Sequence, residues 1–344
     1  MRFPVSPPPH AAPTTSVPAV MRQVLYALIP ATAAYTWYFG WGIGINMLFA
    51  AAGALAAEAL MLRIRGRAVK PGLVDGTALI TAVLIAFAIP PLAPWWLPAL
   101  GAASAIVLAK HLYGGLGANL FNPAMVGYAI LLISFPVEMT RWLPPHAAQL
   151  GYPQLGAWQQ VVYALTGALP AALDVDAVTQ ATPLDLVRDG LNSMRTVDEI
   201  RVGPLFGGLG GYGWEWINSL TLLGGLYLLY KGIIRWHIPV SLLGAMVIVS
   251  ALFHFMEPSR FASPGFHVFG GATVMGAFFI ATDPVSAATT DRGRVIYGAG
   301  IGALTYAIRT WGGYPDGLAF AVLLMNSTVP LLDRYTRPRI YGRT

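Results

Sequence analysis

The feature that most constrains this chain is a series of long apolar stretches joined by short polar segments. Ten of them are long enough to cross the hydrocarbon core of a bilayer, although glycine or proline interrupts some. They cover residues 24–41, 43–62, 77–92, 95–109, 123–137, 216–230, 238–255, 264–281, 295–310 and 318–332. Of the 344 residues, 56% are hydrophobic and 10% are charged, whereas roughly a quarter of a soluble protein is charged. The sequence therefore predicts an all-α, polytopic membrane protein with ten transmembrane helices.

The basic residues predict the orientation of these helices. With the N-terminus in the cytoplasm, 15 of the 21 Lys and Arg residues fall in inner segments. The others fall in outer segments, and they are Arg141, Arg188, Arg195, Arg201, Arg260 and Arg309. Because loops rich in Lys and Arg remain cytoplasmic, we expect both chain ends in the cytoplasm. The net charge of +6 is interpreted as a signal of topology, and no nucleic-acid partner is expected.

A polar interval, residues 138–213, separates two groups of five apolar runs. We expect a first five-helix half over 23–137, a periplasmic segment over 138–213 and a second five-helix half over 214–333. The Pro-rich residues 1–22 are expected to be disordered in the cytoplasm, and residues 334–344 to form a cytoplasmic tail. This arrangement suggests an internal duplication, and an odd number of helices in each half would make the two halves inverted relative to each other, as in many transporters.

The periplasmic segment contains the sequence D-A-V-T-Q-A-T-P-L-D, residues 176–185. Thr182 precedes Pro183, and Asp185 follows in the first turn, which is the pattern of a helix start with a hydroxyl N-cap. The free amides of such a start also suit a phosphate, and the small Ala181 leaves room beside the hydroxyl. From these residues alone, Thr182 is either a helix cap or an attachment site.

The absence of cysteine limits the cofactors that this chain can bind by itself. It excludes disulfides, thiolate-bound iron–sulfur clusters and zinc–cysteine sites within the chain. The histidines show no metal-ligand spacing, so we predict no metal site formed by this chain alone. Any electron carrier must be organic or belong to a partner. Four tryptophans near the ends of apolar runs are expected to be interfacial aromatics, namely Trp95, Trp96, Trp142 and Trp311.

The D-x-x-T-x-A-T pattern resembles the flavinylation motif of the membrane subunits of Rnf and sodium-pumping quinone reductase complexes, the RnfD/NqrB family. The resemblance implies that Thr182 carries FMN through a phosphoester bond. Asp176, Thr179 and Ala181 match the other positions of the motif, and Gln180 stands where the family usually has glycine. The family also implies a flavin transferase acting on the periplasmic side, where the charge pattern places this segment.

A second stretch, G-G-L-G-A-N-L-F-N-P-A-M, resembles the same family. It implies that Asn119 and Asn122 contact a second, non-covalent flavin, riboflavin or a related one, at the cytoplasmic side. Side-chain amides suit the edge of a flavin ring, which offers both donors and acceptors. The alternative is that the two asparagines form only a cap and a turn before Pro123.

Two acidic residues in apolar runs are candidates for an ion path. Asp283, with the proline after it, is expected to break the eighth run near its cytoplasmic end; alternatively, it caps the helix at the water interface. Glu58, in the second run, is expected to reach toward Arg63 or Arg65, or else to take part in proton or sodium movement. Asp316 is expected to cap the tenth run.

The resemblance covers nearly the whole chain after about residue 20, and the lack of a long N-terminal extension favours the D-type subunits of Rnf complexes. It implies a translocase subunit, inactive alone and with no catalytic residue of its own. Such a subunit relays electrons between NADH and ferredoxin or flavodoxin and couples them to Na⁺ or H⁺ transport. The implied partners are the A, B, C, E and G members of the Rnf complex, above all the flavinylated G member, together with the flavin transferase and membrane lipid. The implied location is the bacterial inner membrane.

Two other classes of protein fit the composition equally well. A ten-helix secondary transporter with inverted repeats and no redox cofactor has the same apolar pattern, and so has a scaffold subunit without a cofactor. Flavin attached to Thr182 would distinguish the redox subunit from both.

Overall fold

The computed structural model describes residues 16–146, 155–169, 178–314 and 316–337, and these ranges are helical, without strands. In chain order the helices are α1 (Val17–Phe39), α2 (Gly42–Ile64), α3 (Val69–Val74), α4 (Thr77–Ala88), α5 (Trp96–Ser104), α6 (Pro123–Ser134), α7 (Pro136–Met139), α8 (Ala157–Thr166), α9 (Pro183–Asn192), α10 (Val197–Arg201), α11 (Trp214–Tyr230), α12 (His237–Met256), α13 (Pro264–Phe269), α14 (Thr273–Met275), α15 (Asp291–Trp311) and α16 (Leu318–Tyr335). A π-helical segment extends α5 over Ala105–His111, and another extends α14 over Gly276–Ile280.

Every predicted apolar run is helical over most of its length. α1, α2 and α12 are each long and apolar enough to cross a membrane. Large apolar side chains on these helices face outward, among them Trp37, Ile248 and Phe255, which are 75%, 69% and 83% exposed. A soluble monomer does not leave apolar surface of this extent in water. The prediction of an all-α, multi-pass membrane protein is therefore confirmed.

The first helix begins earlier than the sequence predicted. α1 starts at Val17, so residues 17–22, which were expected to be disordered, are helical. Pro18 stands in the first turn, where its missing N–H leaves no helix hydrogen bond unmade. The expectation of disorder followed from the Pro-rich composition, which did not distinguish a helix start from a flexible arm.

The eighth apolar run is interrupted at a different place from the one predicted. α13 ends at Phe269 and α14 begins at Thr273, so the break lies near the beginning of the run. Gly271 in this break has φ +62°, a left-handed conformation that glycine adopts without strain. Asp283, the expected position of the break, lies in the turn after the helix ends at Ile280.

The helices before and after the polar interval pack in the same pattern. The second helix of each group packs on the fourth, α2 on α5 and α12 on α15. Between the groups, α1 packs on α11 and α6 packs on α16. In each group the helix between the second and the fourth is in two pieces, α3 and α4 in the first group and α13 and α14 in the second. A left-handed glycine, Gly76 or Gly271, lies in the break.

Glycine lets the second and fourth helices of each group approach closely. A Cβ atom on Gly53 would lie 2.3 Å from the carbonyl oxygen of Ala99, across the α2–α5 contact. A Cβ atom on Gly302 would lie 2.3 Å from the carbonyl oxygen of Leu242, across the α12–α15 contact. Small residues at such crossings are typical of membrane helix pairs.

A buried ion cluster lies between α2 and the π-helical end of α5. Lys110 Nζ is 2.7 Å from Glu58 Oε2, and His111 Nε2 is 3.1 Å from Glu58 Oε1. The three residues are only 2–4% exposed. The expected contact of Glu58 with Arg63 or Arg65 is wrong, because its partners are Lys110 and His111 at the end of α5.

This cluster also closes the break between α3 and α4. Lys110 Nζ donates a hydrogen bond of 2.9 Å to Thr77 Oγ1. The Thr77 hydroxyl and N–H in turn donate to Asp75 Oδ1 at 2.7 and 2.8 Å. The polar groups freed by the interruption are thus paired, as burial in an apolar bundle requires.

A second ion pair, between the buried Arg309 and the half-buried Asp316, closes the break between α13 and α14. Arg309 donates to Asp316 Oδ1 at 3.1 Å, and to the carbonyl oxygens of His267 at 2.6 Å and Gly270 at 3.2 Å. Asp316 accepts from the N–H of Ala272 at 2.8 Å and from the first N–H of α16 at 3.1 Å. The predicted capping role of Asp316 is confirmed, and the same carboxylate also fixes the interrupted helix.

We expect Gly302→Ala to destabilise the protein, because the added methyl must displace the α12 backbone. The expected loss is about 1–3 kcal/mol. Gly244→Ala in α12 is the matched control, since a Cβ atom there meets nothing within 4 Å. Thermal unfolding of the detergent-solubilised protein measures both, and equal stability of the two variants would contradict the close helix crossing.

Removal of Lys110 is expected to leave a carboxylate buried without its cation. Lys110→Met should cost about 3–5 kcal/mol, and adding Glu58→Gln to it should restore most of the loss. Lys231→Met, at an exposed lysine after α11, is the control for loss of a positive charge. The pairing is refuted if the single Lys110 variant unfolds at the same temperature as the double variant.

Candidate functional site

Thr182, the candidate attachment residue, is the N-cap of α9. Its backbone is extended, with φ −67° and ψ 160°, and Pro183 occupies the first turn. The Asp185 N–H donates to Thr182 Oγ1 at 3.2 Å, and the Thr182 N–H donates to the Asp185 carboxylate at 3.2 Å. The predicted helix start is confirmed, with a reciprocal cap.

The Thr182 hydroxyl itself is held by a carboxylate. It donates to Asp185 Oδ2 at 2.6 Å, and both residues are half-buried. Arg188 NH2 lies 3.9 Å from Asp185 Oδ1, while Arg188 NH1 donates to the carbonyl oxygen of Gly313 at 2.7 Å. A carboxylate bonded to an O–H can accept its proton when the oxygen attacks an electrophile. The guanidinium places positive charge beside the same group.

Apolar contacts fix α9 against its neighbours. Leu184 and Val187 form a small buried cluster with Val197 and Ile200 of α10 and with Phe266 of α13. The N-terminus of α9 is therefore held at a defined place beside the interrupted eighth run. The sequence predicted the start of this helix but not the surface on which it packs.

The other motif residues lie just before α9. Thr179 and Ala181 are half-buried, and Asp176 lies outside the described residues. The Gln180 N–H donates to the carbonyl oxygen of Trp142 at 2.7 Å. Gln180 is not among the described non-glycine residues with positive φ. The backbone does not require glycine at this position, so glutamine adds no strain.

A cavity of about 330 Å³ adjoins Thr182 and extends between the two groups of helices. Its charged and hydroxyl groups include those of Thr182, Asp185, Arg188 and Asp316. The remaining wall is mostly apolar and aromatic, and includes Leu84, Phe87, Met125, Trp142, Trp214 and Ile280. Small-molecule sites are typically of roughly 300–1,000 Å³ with this kind of lining.

Trp142, which was expected to be an interfacial aromatic, lies in the wall of the cavity. Its ring packs on that of Trp214 with centroids 5.3 Å apart, and both residues line the cavity. Trp214 also packs against Phe39, at 5.1 Å. The position of Trp142 near the end of an apolar run did not reveal that its ring packs against the first residue of α11.

Tyr35 in α1 is a cavity residue that the sequence did not single out. It is 0% exposed, and its hydroxyl has no hydrogen-bond partner. A buried hydroxyl without a partner costs roughly 1–3 kcal/mol. A tyrosine inside an apolar helix gives no signal in the sequence, because burial and pairing depend on helices far away in the chain.

Asn122 caps α6 and joins three parts of the bundle. Its Oδ1 accepts from the Met125 N–H at 3.2 Å, and its Nδ2 donates to the carbonyl oxygen of Ile280 at 3.1 Å. Its N–H donates to Asn326 Oδ1 at 3.0 Å. The side-chain amide is therefore bonded within the protein, as the cap-and-turn alternative supposed. Met125 and Ile280 also line the cavity.

Asn119 and Asp283 lie together beside this junction. The Asn119 amide donates to the carbonyl oxygen of Phe121 at 3.2 Å and contacts the Asp283 carboxylate. Asp283 Oδ2 accepts from the Ser286 hydroxyl at 2.8 Å. Asn326 donates to the carbonyl oxygen of Ser286 at 3.0 Å. The structure thus brings together three predicted residues, Asn119, Asn122 and Asp283, and leaves Glu58 in the separate cluster with Lys110.

The residues around the cavity fit a tethered flavin. Thr182 supplies the hydroxyl, and the first turn of α9 supplies amides that suit a phosphate. The aromatic and apolar wall suits a planar ring. The chemistry of this set of groups therefore agrees with the cofactor that the motif implied.

Comparison with known proteins identifies the family. Residues 4–342 match the model of the NQR2, RnfD, RnfE family. The chain is 51% identical over 345 residues to the D component of the ion-translocating oxidoreductase complex of Aeromonas salmonicida, with 99% of each chain covered. The corresponding protein of Aliivibrio salmonicida is 51% identical over 349 residues, and that of Escherichia coli O127:H6 is 48% identical over 348, with the same coverage. On this evidence the chain belongs to the NQR2, RnfD, RnfE family.

Proposed function

We propose that this chain is the membrane subunit of an Rnf-type, ion-translocating oxidoreductase complex, and that Thr182 carries FMN through a phosphoester bond. The observation that carries the proposal is the position of the Thr182 hydroxyl beside a cavity lined by apolar and aromatic side chains. Relatives at about 50% identity are named as the D component of such complexes. When bound, FMN supplies a carrier that takes up and releases electrons.

The chain's own residues suit the attachment. Asp185 holds the Thr182 hydroxyl at 2.6 Å and is placed to accept its proton. The positive end of the α9 dipole attracts the phosphate. Arg188, 3.9 Å from Asp185, offsets the negative charge of the carboxylate and of the ester. Trp142 and Trp214 would exclude water from the flavin ring of the attached FMN.

A second, non-covalent flavin is proposed at the cytoplasmic side, beside Asn119 and Asn122. The Asn122 amide is bonded to Met125 and Ile280, and the Asn119 amide to Phe121. We therefore expect backbone groups beside the two asparagines to make most of the contacts. Met125 and Ile280 also line the cavity beside Thr182. This shared wall supports a relay in which an outer and an inner carrier lie along one path.

The topology proposed for this relay has ten transmembrane helices, both chain ends in the cytoplasm, and Thr182 on the periplasmic side of the bacterial inner membrane. The excess of Lys and Arg in the inner segments supports this orientation. The repeated packing, α2 with α5 and α12 with α15, supports two inverted halves. The cavity then lies between the halves, where many transporters place their sites.

Ion coupling is proposed to involve Asp283 and Glu58. Moving one charge across a potential of 100 mV is worth about 2.3 kcal/mol, so electron flow through this chain can be linked to Na⁺ or H⁺ movement. Asp283 lies beside the asparagines of the inner flavin region. Glu58 is buried with Lys110 and His111. A carboxylate in either place changes its pairing when a neighbouring charge changes.

The relatives are named as one subunit of a complex, which supports the proposal that this chain assembles with other subunits. They are the A, B, C, E and G members of the Rnf complex, above all the flavinylated G member, which would exchange electrons with this chain at the periplasmic face. NADH and ferredoxin or flavodoxin are the proposed redox partners between which the whole complex moves electrons. A flavin transferase is proposed to install FMN on Thr182.

Thr182→Ala is expected to abolish covalent flavin, because it removes the only hydroxyl proposed to be esterified. The measurement is flavin fluorescence in a denaturing gel, together with intact mass, on chain made with the flavin transferase. Thr196→Ala is the matched control. Thr196 caps α10 with the same reciprocal bonds to Glu199, at 2.8 and 3.4 Å, but does not line the cavity. Hydrogen bonding from the Thr196 backbone also lowers the pKa of Glu199.

A wild-type chain without fluorescence and at its unmodified mass would refute the redox proposal. A secondary transporter or a scaffold subunit would then be favoured. Retained fluorescence in the Thr182 variant would instead place the flavin on another residue. Thr182→Ser keeps the hydroxyl and is expected to retain at least part of the signal.

Neutralising the ion-path candidates is expected to lower ion-coupled turnover of the assembled complex. We expect Asp283→Asn or Glu58→Gln to reduce it at least about tenfold, equivalent to ~1.4 kcal/mol in the barrier. Asp291→Asn is the control, because its exposed ion pairs with Arg235 and Arg294 contribute little. Turnover in proteoliposomes that is unchanged by both substitutions would remove both residues from the ion path.

A further inference from the structure

Two arginine side chains converge on one glycine at the end of α2. The NH1 atoms of Arg65 and Arg67 lie 3.3 and 3.4 Å from the point that a Cβ atom on Gly115 would occupy. In the described ranges neither guanidinium forms an ion pair, and Arg67 donates no side-chain hydrogen bond. Like charges that approach each other repel, so an anion bound between these two groups would stabilise the arrangement.

The loop after the π-helical end of α5 makes this convergence possible. Gly114, Gly115 and Gly117 have φ +129°, +101° and +83°, conformations that glycine adopts far more readily than other residues. Because Gly115 has no side chain, both guanidinium groups can approach its backbone. Arg65 NH1 also donates to the carbonyl oxygen of His111 at 3.2 Å. The loop therefore holds at least one of the two cations in a defined place.

The surroundings of the two arginines indicate the chemistry of the anion. Guanidinium groups are suited to phosphate, whose oxygens accept their forked N–H donors. Large apolar side chains flank the pair: Ile64 precedes Arg65, and Leu112 and Leu116 lie on either side of Gly115, with exposures of 69%, 68% and 50%. A free phosphate would contact the cations alone. A phospholipid would also cover the apolar side chains, and basic groups at the ends of membrane helices suit anionic lipid.

We propose that Arg65, Arg67 and the glycine loop of residues 114–117 bind the phosphate of an anionic phospholipid, whose acyl chains cover Ile64, Leu112 and Leu116. The site uses none of the residues proposed to hold the flavin at Thr182. It gives this chain a lipid ligand of defined headgroup chemistry, at a defined place on the surface of the bundle.

The test titrates the purified full chain in detergent with phosphatidylglycerol and measures lipid binding by native mass spectrometry. Arg67→Gln removes an exposed guanidinium that has no side-chain hydrogen bond in the described part of the chain, so the variant is expected to fold. We expect its dissociation constant for the tightest-bound lipid to rise about tenfold, equivalent to ~1.4 kcal/mol, because a charge-assisted hydrogen bond is lost. Phosphatidylcholine, which has no net charge, should bind more weakly than phosphatidylglycerol to the wild-type chain.

Arg63→Gln is the matched control. Arg63 is exposed in the last turn of α2, and its substitution removes the same charge, but none of its atoms lies within 4 Å of the Cβ point on Gly115. It should leave the affinity for phosphatidylglycerol unchanged. Arg67→Lys keeps the charge without the fork of donors and is expected to recover only part of the affinity. An equal loss in the Arg63 and Arg67 glutamine variants would show a general attraction to basic surface and would overturn the proposal.

Inorganic phosphate distinguishes the two sources of the anion. If the ligand is lipid, millimolar phosphate at constant ionic strength should leave phosphatidylglycerol bound. Displacement by phosphate that is abolished in Arg67→Gln would assign the site to free phosphate and overturn a lipid ligand, as would equal affinity of the wild-type chain for phosphatidylglycerol and phosphatidylcholine. Flavin-free Thr182→Ala should bind phosphatidylglycerol as wild type does, so a failure of this proposal leaves the proposed function intact.

Discussion

The pairing of charges and backbone groups where helices are interrupted is the constraint on which the rest of this structure depends. An apolar bundle offers no water to a broken helix, so every freed N–H and C=O needs a protein partner. Lys110 donates a hydrogen bond to Thr77 at the break before α4, and Arg309 donates one to Gly270 at the break before α14. Lys110 lies at the end of α5 and Arg309 near the end of α15, and each is paired with a carboxylate, Glu58 or Asp316. Because residues 270–272 line the cavity, the second of these breaks also helps to form the site.

The proposed site combines three environments that the fold places in succession. At Thr182, a hydroxyl, a carboxylate and a guanidinium lie together at the start of α9. The cavity behind them is walled by aromatic rings. Its wall continues to Met125 and Ile280, which are bonded to Asn122. This order, from a polar tether through an apolar interior to a cluster of amides, suits a path for electrons between the two faces of a membrane protein.

Local features of this molecule could be predicted from its sequence, whereas long-range pairings could not. The apolar runs predicted the helices, and Thr182 and Asp316 were correctly expected as caps, because each of these signals lies within a few residues. The partner of Glu58 is 52 residues away in the chain, so the nearer arginines were chosen wrongly. Trp142 was assigned to the interface and Tyr35 was overlooked for the same reason. Periodicity and hydropathy indicate that a residue is buried or near an end, but not which helix it meets.

The two ion pairs that close the helix breaks have an electrical consequence. Lys110 with Glu58, and Arg309 with Asp316, are each a cation balanced by an anion at 2.7 and 3.1 Å. A transmembrane voltage acts on net charge, so it exerts almost no force on either pair while both remain intact. Both pairs are in this respect voltage-silent, although each consists of full charges. An unbalanced charge that enters the bundle, whether an electron or a small cation, would feel the field that these pairs do not.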